Sequence, residues 1–599
     1  MAWYDEAVFY HIYPLGLAGA PKQNDYGEPV HRLNTLLPWV DHIKEIGGSA
    51  LYIGPLFESV GHGYETTDYK KLDSRLGTNE DLTAFVAYCH EQGIKVIFDG
   101  VFNHTGRDFF AFKDIQANRE NSQYKDWYCN VNFWGNNEYN DGFSYDNWGG
   151  YNLLVKLNQK NPAVVDYICD VIRFWVSEFD VDGIRLDAAD VLDFDFMKAL
   201  RRTANEVKPD FWLMGEVIHG DYSRWVNGET LHSVTNYTLH KALYSGHNDH
   251  NYFEIAHTVR RLQNMGTLKL YNFVDNHDVE RIYTKLTNKA HFAPVHVLLY
   301  TLPGVPSIYY GSEFGIEGRK EYGSDDSLRP ALNIEDYKDS VKTNPCTALI
   351  AALGKVRQAV PALSYGSYDE LMLTNRQFAY ARDLDGTRVI VSVNNDDAPA
   401  GMHLAAGNCT AYIGALSGEK VSVQDGHINI TQPANSGEIW VPEGTDLDVK
   451  PVKVVTKTES EAKTNTEDKA ASETATDAKG NKEAEPKIES KESKDIVTAT
   501  ESADAKKNTT NTEKNISAAN EVKDSAKDAS AQAAADTPVD PETITVDWSK
   551  SPESMTVPEL QAAILAKLAG NGPVDAQMKK TVTDNIWHDS LVNWLKSFR

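Results

Sequence analysis

Three acidic residues, far apart along the chain, each follow a short apolar run of the kind that forms a buried strand: Asp187, Glu216 and Asp278. If strands alternate with helices, the carboxyl ends of the strands converge, so these three side chains are expected to meet. Two carboxyl groups that flank a glycosidic bond can cleave it, one as the nucleophile and one as the proton donor. Clustered Asp and Glu side chains also bind divalent cations, so a metal site is the competing interpretation.

Arg185 stands two residues before Asp187. On a strand these two side chains point the same way, while Leu186 points the other way. A guanidinium beside a carboxylate favours the ionised form through opposite charge and charge-assisted hydrogen bonds. An ionised and oriented Asp at a strand end is suited to attack the anomeric carbon of a sugar. The same spacing is also typical of an ordinary surface ion pair, so the wider pattern has to decide.

The first 360 residues alternate between strand-like and helix-like patterns. The predicted strands are 8–14, 49–55, 95–101, 182–187, 211–217, 233–239, 270–276 and 305–311, and amphipathic stretches between them include Leu36–Ile46, Glu80–Glu91, Pro162–Glu178 and Phe194–Val207. Continuous apolar strands are typical of a sheet that is covered on both faces. We therefore predict an α/β chain with a (β/α)8 TIM barrel. The alternative is a doubly wound open sheet, but no Gly-rich phosphate loop follows an early strand.

Shifts in composition divide the chain further. The long stretch 104–161, rich in Asn, Tyr, Trp and Gly, predicts a subdomain inserted after the third strand, between barrel parts 1–103 and 162–362. Short alternating runs predict an antiparallel β domain over 363–447. Residues 448–547 are low in complexity and predict a disordered linker. Helical spacing over 548–599, with a capping box at Thr556–Glu559, predicts a small helical module.

Overall charge and cysteine usage limit the classes of partner and compartment. The formal net charge is -27 without a basic stripe, which argues against a nucleic-acid partner and an anionic membrane surface. We expect no membrane span and no leader peptide, because neither a long apolar stretch nor a signal-like N-terminus is present. The five cysteines are odd in number and have no metal-ligand spacing, which favours reduced thiols in the cytoplasm.

Four ordered segments carry a family resemblance: Asp99–His104, Gly183–Asp187, Gly215–Glu216 and Phe273–Asp278. In order, strand context and spacing they resemble the signature regions of the α-amylase family of glycoside hydrolases (family thirteen). The resemblance covers about residues 1–445 and is closest to the neopullulanase/maltodextrin-hydrolase and bacterial α-amylase subgroups. It implies a (β/α)8 barrel with an inserted subdomain after strand 3 and a C-terminal antiparallel β-sandwich, as the residue patterns also predict.

The resemblance implies a role for each matched acid. Asp187 would be the nucleophile that forms a covalent glucosyl intermediate, and Glu216 would be the general acid and then the general base. Asp278 would stabilise the oxocarbenium-like transition state. The residues implied to bind or orient the substrate are His62, Tyr64, His104, Arg185, His277, Asp325 and Arg329.

This chain departs from the family pattern in several places. Val155 stands in Leu154–Asn158 where the neopullulanase subgroup usually has Pro, and Ala188–Asp190 lacks the Lys-His pair of typical secreted α-amylases. The sequence before Tyr64 lacks the Asp-x-Gly of many exo-acting α-glucosidases, which favours the depolymerisation of α-1,4-glucans. Asn103 matches a position that ligates structural calcium in many members, so calcium binding is left open and no other cofactor is expected.

The expected function is a cytoplasmic, retaining hydrolase of α-1,4-glucosidic bonds in maltodextrins or starch-type glucans. One alternative is a 4-α-glucanotransferase, which passes the same covalent intermediate to another sugar. Another is a non-catalytic glucan-binding or scaffold protein. The helical module at 548–599 is separately expected to form its own small core or to dock a protein partner.

Overall fold

The computed structural model describes residues 2–266, 268–321, 324–449, 451–452, 546, 548, 550–551, 555–569, 582 and 595. The chain separates into two units, and the described residues up to 452 belong to the first while those from 546 onward belong to the second. Each unit is described by itself. In the described part of the chain, no helix has the length and apolar character that crossing a bilayer requires.

Eight parallel strands form the barrel of the first unit. They are β1 Phe9–Ile12, β2 Ala50–Ile53, β3 Lys95–Gly100, β4 Gly183–Leu186, β5 Trp212–Gly215, β6 Ser233–Val234, β7 Tyr271–Asn272 and β8 Val305–Tyr309. The order is β6-β5-β4-β3-β2-β1-β8-β7, and a parallel bridge from Thr235 to Tyr271 joins the two outer strands. The predicted barrel is confirmed, and the open doubly wound sheet is wrong.

The predicted sixth strand, 233–239, is wrong in its second half. Strand β6 ends at Val234, and a helix begins at Tyr237. The Asn236 side chain accepts a hydrogen bond from the backbone N–H of Leu239, so it caps that helix. This capping contact ends the strand where its apolar pattern continues.

Helices surround the barrel and close its turns. Pro162–Phe179 shows why such segments form: Asn161 caps the first turn, a Pro follows at the first position, and Asp180 ends the helix in a left-handed conformation. Its apolar side chains, including Trp175, are buried against the sheet. The other helices of this unit are Trp3–Glu6, Pro14–Leu17, Leu37–Glu45, Asn79–Glu91, Phe110–Asn118, Phe194–Val207, Tyr237–Asn248, Tyr252–Asn264, Ile282–Lys285, Phe292–Thr301, Ser340–Thr343, Pro345–Ala359 and Ala362–Tyr365.

The lower barrel interior is filled by aromatic side chains. Phe9 and Trp212 stack with their ring centroids 5.0 Å apart, and Tyr271 packs edge-on against Phe9 at 5.5 Å. All three are buried in one core cluster. This apolar floor lies under the charged side chains at the carboxyl ends of the strands, so those side chains meet low-dielectric surroundings on one side.

Two extra layers wall the carboxyl end of the barrel. A hairpin, Phe57–Ser59 with Thr66–Leu72, follows β2, and its loop carries His62 and Tyr64. After β3, the strands His104–Thr105, Asn147–Trp148 and Tyr151–Lys156 form a small antiparallel sheet beside the helix Phe110–Asn118. This is the inserted subdomain of the predicted fold class.

Antiparallel strands complete the first unit as a β-sandwich. A six-stranded sheet and a two-stranded sheet enclose a common core that includes Ile390, Met402, Ile428 and Trp440. The strands are Ser367–Leu373, Gln377–Leu384, Thr387–Asn394, Ala400–Ala405, Ala411–Gly414, Lys420–Ser422, His427–Gln432 and Ser436–Pro442. The fold class is therefore confirmed for this part of the chain.

In the second unit the structure describes one helix, Val557–Ala569. Its start agrees with the predicted capping box, because Glu559 accepts a hydrogen bond from the backbone N–H of Thr556 at 2.7 Å. Leu560 and Ile564 are buried in a small apolar cluster with Val582 and Leu595. The predicted linker, 448–547, and the rest of the helical module lie almost entirely outside the described residues. The predicted domain boundaries stay predictions.

Candidate active site

Arg185 joins three carboxylates at the carboxyl end of the barrel. Its side chain points into the barrel from β4, and its Nη1 lies 2.9 Å from an oxygen of Asp187 and 2.9 Å from an oxygen of Asp99. Its Nη2 lies 2.9 Å from Oε2 of Glu216. We call these four residues the Arg185 cluster. Because one planar guanidinium binds Asp187 and Glu216 through its two terminal nitrogens, these two carboxylates are close neighbours.

The charge balance of this cluster favours retention of a proton. Burial raises the pKa of Asp187 well above its usual range; Arg185 opposes this, but Glu216 and Asp99 add to it. The opposite charge of Arg185 acts in the predicted direction, but one cation faces three carboxyl groups, so the ionised state of Asp187 stays a prediction. Burial lowers the pKa of Arg185, but Asp99 and Glu216 outweigh it and raise it well above its usual value. The guanidinium thus stays charged.

Glu216 is oriented by contacts on both of its oxygens. Oε2 binds Arg185 and also accepts the backbone N–H of Ala188 at 3.1 Å. Oε1 lies 3.4 Å from the hydroxyl of Tyr237, a long hydrogen bond. Ala188 has a positive φ of 47°, which is unusual for a residue with a Cβ, and this backbone turn aims its N–H at Glu216. Oε1 is therefore the less tightly bound of the two oxygens.

Asp278 lies beside Arg329 and His277 instead of other acids. Its Oδ1 is 2.8 Å from Nη2 of Arg329, and its Oδ2 is 3.0 Å from Nε2 of His277. We call these three residues the Asp278 cluster. Burial raises the pKa of Asp278, but His277 and Arg329 outweigh it and hold that pKa well below the usual carboxyl range. Asp278 is thus a permanent negative charge, which suits a group that faces a developing sugar cation.

Tyr64 connects the two clusters. Its hydroxyl lies 2.5 Å from Nε2 of His277 and donates to an oxygen of Asp99 at 3.2 Å, and its ring is parallel to that of His277. His104 holds the tyrosine from behind, since its Nε2 lies 3.1 Å from the Tyr64 carbonyl oxygen. Burial lowers the pKa of His104 to about 3, so its ring is neutral. These contacts place both histidines and Tyr64 beside the acids.

The remaining predicted substrate residues lie at the rim. Asp325 binds Arg329 at 3.0 Å, so both belong beside Asp278. The His62 side chain is about half exposed, and its Nε2 lies 3.2 Å from Oε1 of Glu65. Its Nδ1 lies 3.4 Å from the backbone N–H of Tyr64. Both ring nitrogens of His62 are therefore close to protein groups, which favours a role in holding the Tyr64 loop.

Comparison with known proteins agrees with this geometry. Residues 32–355 match the family model "Alpha amylase, catalytic domain". The chain belongs to the α-amylase family. A cyclomaltodextrinase from Bacillus sp. is 31% identical over 422 residues, which is 66% of this chain and 74% of that protein. Neopullulanase 2 from Thermoactinomyces vulgaris is 29% identical over 473 residues, 73% of this chain and 78% of that protein.

A solved structure of a cyclomaltodextrinase superimposes with a TM-score of 0.66 at 26% identity, covering 73% of this chain and 78% of that one. These matches lie in the subgroups that the signature segments predicted. As an α-amylase-family glycosidase, the chain is a hydrolase that acts on O-glycosyl bonds.

Asn103 is the predicted calcium ligand, and both of its oxygens contact protein groups. The Asn103 side-chain oxygen is 3.4 Å from the amide nitrogen of Gln159, and its backbone oxygen accepts from Leu157. Across the described part of the chain, no group of three or more His, Cys, Asp or Glu side chains is arranged to hold a metal ion. Calcium binding at Asn103 stays a prediction.

Three residues that contact the site were not predicted as site residues from the sequence: Tyr52, Asp99 and Tyr237. Asp99 and Arg185 are direct partners in the register of β3 and β4, so their side chains share a face. Tyr52 donates its hydroxyl to Asp99 at 2.7 Å. The signal for Asp99 was present, because it begins the first signature segment of the α-amylase family and lies near the end of the predicted strand 95–101.

Proposed function

We propose that this chain hydrolyses α-1,4-glucosidic bonds of maltodextrins and starch-type glucans with retention of configuration. The observation that carries the proposal is the contact of Arg185 with both Asp187 and Glu216 at 2.9 Å. Retaining glycosidases hold their two carboxyl groups about 5–5.5 Å apart so that one attacks while the other protonates. Two carboxylates on the two terminal nitrogens of one guanidinium are close neighbours, which supports this arrangement.

In the first step Asp187 attacks the anomeric carbon while Glu216 gives its proton to the leaving oxygen, so a carbon–oxygen bond to the enzyme forms as the glycosidic bond breaks. In the second step the Glu216 carboxylate takes a proton from water, and the water oxygen replaces Asp187 on the sugar. Asp278, with its depressed pKa, stabilises the positive charge of both transition states.

The mechanism requires Glu216 to hold the proton and Asp187 to be ionised. The Oε1 of Glu216 makes a long contact to the Tyr237 hydroxyl, whereas Oε2 is held tightly by Arg185, so Oε1 is the oxygen suited to donate to the leaving group. Asp187 lies 2.9 Å from Nη1 of Arg185, whose positive charge favours an ionised nucleophile.

The substrate class is supported by the relatives. Similar proteins are named cyclomaltodextrinase, neopullulanase and maltogenic α-amylase, the last 32% identical over 343 residues. Their names share α-glucan substrates, linear or cyclic, so maltodextrins and cyclomaltodextrins are the substrates to test first. No cofactor is needed for the two carboxyl groups to act.

The test is to incubate the protein with maltotriose, maltoheptaose and β-cyclodextrin and to follow products by proton NMR. Hydrolysis with an initial α-anomer supports the proposal, and an initial β-anomer contradicts it. Glucans longer than the maltotriose supplied would instead identify the 4-α-glucanotransferase. Binding without any product would identify the non-catalytic glucan-binding protein.

We also propose a cytoplasmic location and a docking role for the C-terminal module. The five cysteines are free of disulfides, and a relative from Bacillus subtilis is named "Intracellular maltogenic amylase" at 28% identity. Cell fractionation of the full chain tests the location. Comparing the full chain with a chain ending at residue 452 tests the module: unchanged activity and location after truncation would count against docking.

A further inference from the structure

The loop that carries His277 and Asp278 is attached to the barrel by buried polar side chains. It runs from the end of β7 to the helix Ile282–Lys285. Within it, the Asn276 side-chain oxygen accepts the backbone N–H groups of Asp278 and Val279 at 2.8 and 3.1 Å. These bonds shape the turn, and the Asn276 amide also donates to the Tyr237 hydroxyl at 3.2 Å. Asn276 lies in the middle of the loop, so other residues must fix its two ends.

Asp275 joins the two ends of this loop. It is buried, and its Oδ2 accepts the backbone N–H of Ile282 at 2.8 Å and the hydroxyl of Ser312 at 2.7 Å. Ser312 lies in the short turn Ser312–Phe314 that follows β8. One carboxylate thus holds the start of the loop, its end, and the neighbouring strand's turn together.

Arg281 attaches the loop to the segment that supplies Arg329. It is fully buried, and its Nη1 donates to the Tyr310 carbonyl at 2.5 Å and to the Ser312 hydroxyl at 3.0 Å. Its Nη2 donates to the Leu328 carbonyl at 3.1 Å. Arg329, which follows Leu328 in the chain, donates to the His277 carbonyl and to Asp278. Arg281 therefore controls where the cationic partner of Asp278 stands.

We propose that Asp275 and Arg281, linked through Ser312, are positioning residues that fix Asp278 and Arg329 against the reacting sugar. We call these three residues the loop clamp. Burying a guanidinium and a carboxylate is costly, and apolar side chains would fill the same space with less desolvation. What the polar side chains add is direction, because each bond ends on a defined atom of the loop or of the Arg329 segment. The proposal rests on the proposed function, since it assigns the loop clamp to the same reaction.

The mildest test removes one hydroxyl. Ser312 donates to Asp275 and accepts from Arg281, so Ser312→Ala should loosen Asp278 without emptying the core. Its matched control is Ser392→Ala in the β-sandwich, where a buried hydroxyl likewise donates to Gln432 at 2.6 Å and accepts from Trp440 at 3.0 Å. We expect kcat on maltotriose to fall about 10-fold in Ser312→Ala, with KM changed less than about 2-fold, and no change in the control.

A conservative rescue separates positioning from stability. Asp275→Asn keeps an acceptor oxygen for Ile282 and Ser312, whereas Asp275→Ala removes it. We expect kcat per folded molecule to fall about 10²-fold in Asp275→Ala and only about 3-fold in Asp275→Asn. A purely structural Asp275 would lower the melting temperature of both variants and leave kcat per folded molecule unchanged.

Arg281 has its own matched control in Arg357. Arg357 is equally buried and donates to the carbonyls of Tyr300 and Gly304 at 2.8 and 2.7 Å, just before β8 and away from the acids. We expect Arg281→Met and Arg357→Met to lose stability alike, but only the former to lose kcat. Equal kcat in Ser312→Ala and Ser392→Ala, with equal kcat in Arg281→Met and Arg357→Met, would overturn the loop clamp alone. A wild-type chain that hydrolyses none of the glucans would overturn the proposed function and the loop clamp with it.

Discussion

The Arg185 cluster and the Asp278 cluster place the same kind of side chain in opposite electrostatic surroundings. At Arg185, three carboxyl groups face one cation, and the pKa of Asp187 lies well above its usual range. At Asp278, one carboxylate faces Arg329 and His277, and its pKa lies well below that range. The difference teaches that the ratio of cations to acids, more than burial, separates these two Asp side chains, because burial raises the pKa of both. The Arg185 cluster can transfer a proton, while the Asp278 cluster holds a fixed charge.

The largest expected effect comes from the Arg185 cluster. Asp187→Asn removes the nucleophile, since an amide oxygen does not form the covalent glucosyl intermediate. We expect kcat to fall by on the order of 10⁴-fold while maltotriose still binds. The measurement is product release with binding followed by calorimetry, and Asp195→Asn, on an exposed helix start, is the control. Hydrolysis at the wild-type rate by Asp187→Asn would remove this residue from the mechanism.

The next largest effect is expected when Arg185, the cation that the Arg185 cluster shares, is replaced. Arg185→Met leaves Asp99, Asp187 and Glu216 buried without their partner. We expect a loss of about 3–5 kcal/mol in the free energy of unfolding and a fall of about 10³-fold in kcat/KM. Urea unfolding and steady-state kinetics measure the two effects. A variant as stable and active as the wild type would show that Arg185 is an ordinary ion-pair partner.

The Asp278 cluster should lose activity without a shift in the acid limb of the pH profile. In Arg329→Gln, Asp278 keeps His277 and Lys320 but loses its strongest fixed cation, so its pKa rises. The pKa of Asp278 starts well below the usual carboxyl range and that of Asp187 well above it, so the acid limb of kcat/KM follows Asp187 and should stay in place. We expect about a 10²-fold loss of kcat/KM at neutral pH, because Asp278 is no longer held in position. A full pH profile beside the wild type tests this, and an acid limb that moves to higher pH would contradict the low pKa assigned to Asp278.

The smallest effect is expected at Tyr237, which lies between the Arg185 cluster and the Asp278 cluster. Tyr237 lies 3.4 Å from Glu216 and accepts from Asn276, next to His277, at 3.2 Å. Tyr237→Phe removes one long hydrogen bond and keeps the ring, so kcat should fall by only about 3- to 5-fold. Kinetics at the pH optimum decide this. A loss of kcat above about 10²-fold would mean that the Tyr237 hydroxyl takes part in proton transfer. The Arg185 cluster and the Asp278 cluster would then act as one unit.

The positions of the acids could be predicted because the barrel pattern is local and repetitive. Each of Asp187, Glu216 and Asp278 follows its own apolar run, and parallel strands bring those ends to one rim. The helix that interrupts the predicted sixth strand was missed because the apolar pattern does not show that the Asn236 side chain caps the backbone N–H of Leu239. The contact of His62 with Glu65 was missed although it is local: the two residues lie three positions apart in the loop of the hairpin after β2.

The chain by itself determined which side chains are available: the strand periodicity that aims Arg185 and Asp187 the same way, and the matched segments that mark their family. Only the tertiary structure decided their charges. Barrel closure placed Asp99 and Glu216 on the same guanidinium as Asp187, and the loops after β7 and β8 brought Arg329 to Asp278. Proton affinity depends on distance and on the loss of water around each group, and neither quantity is written in the spacing of residues along a chain.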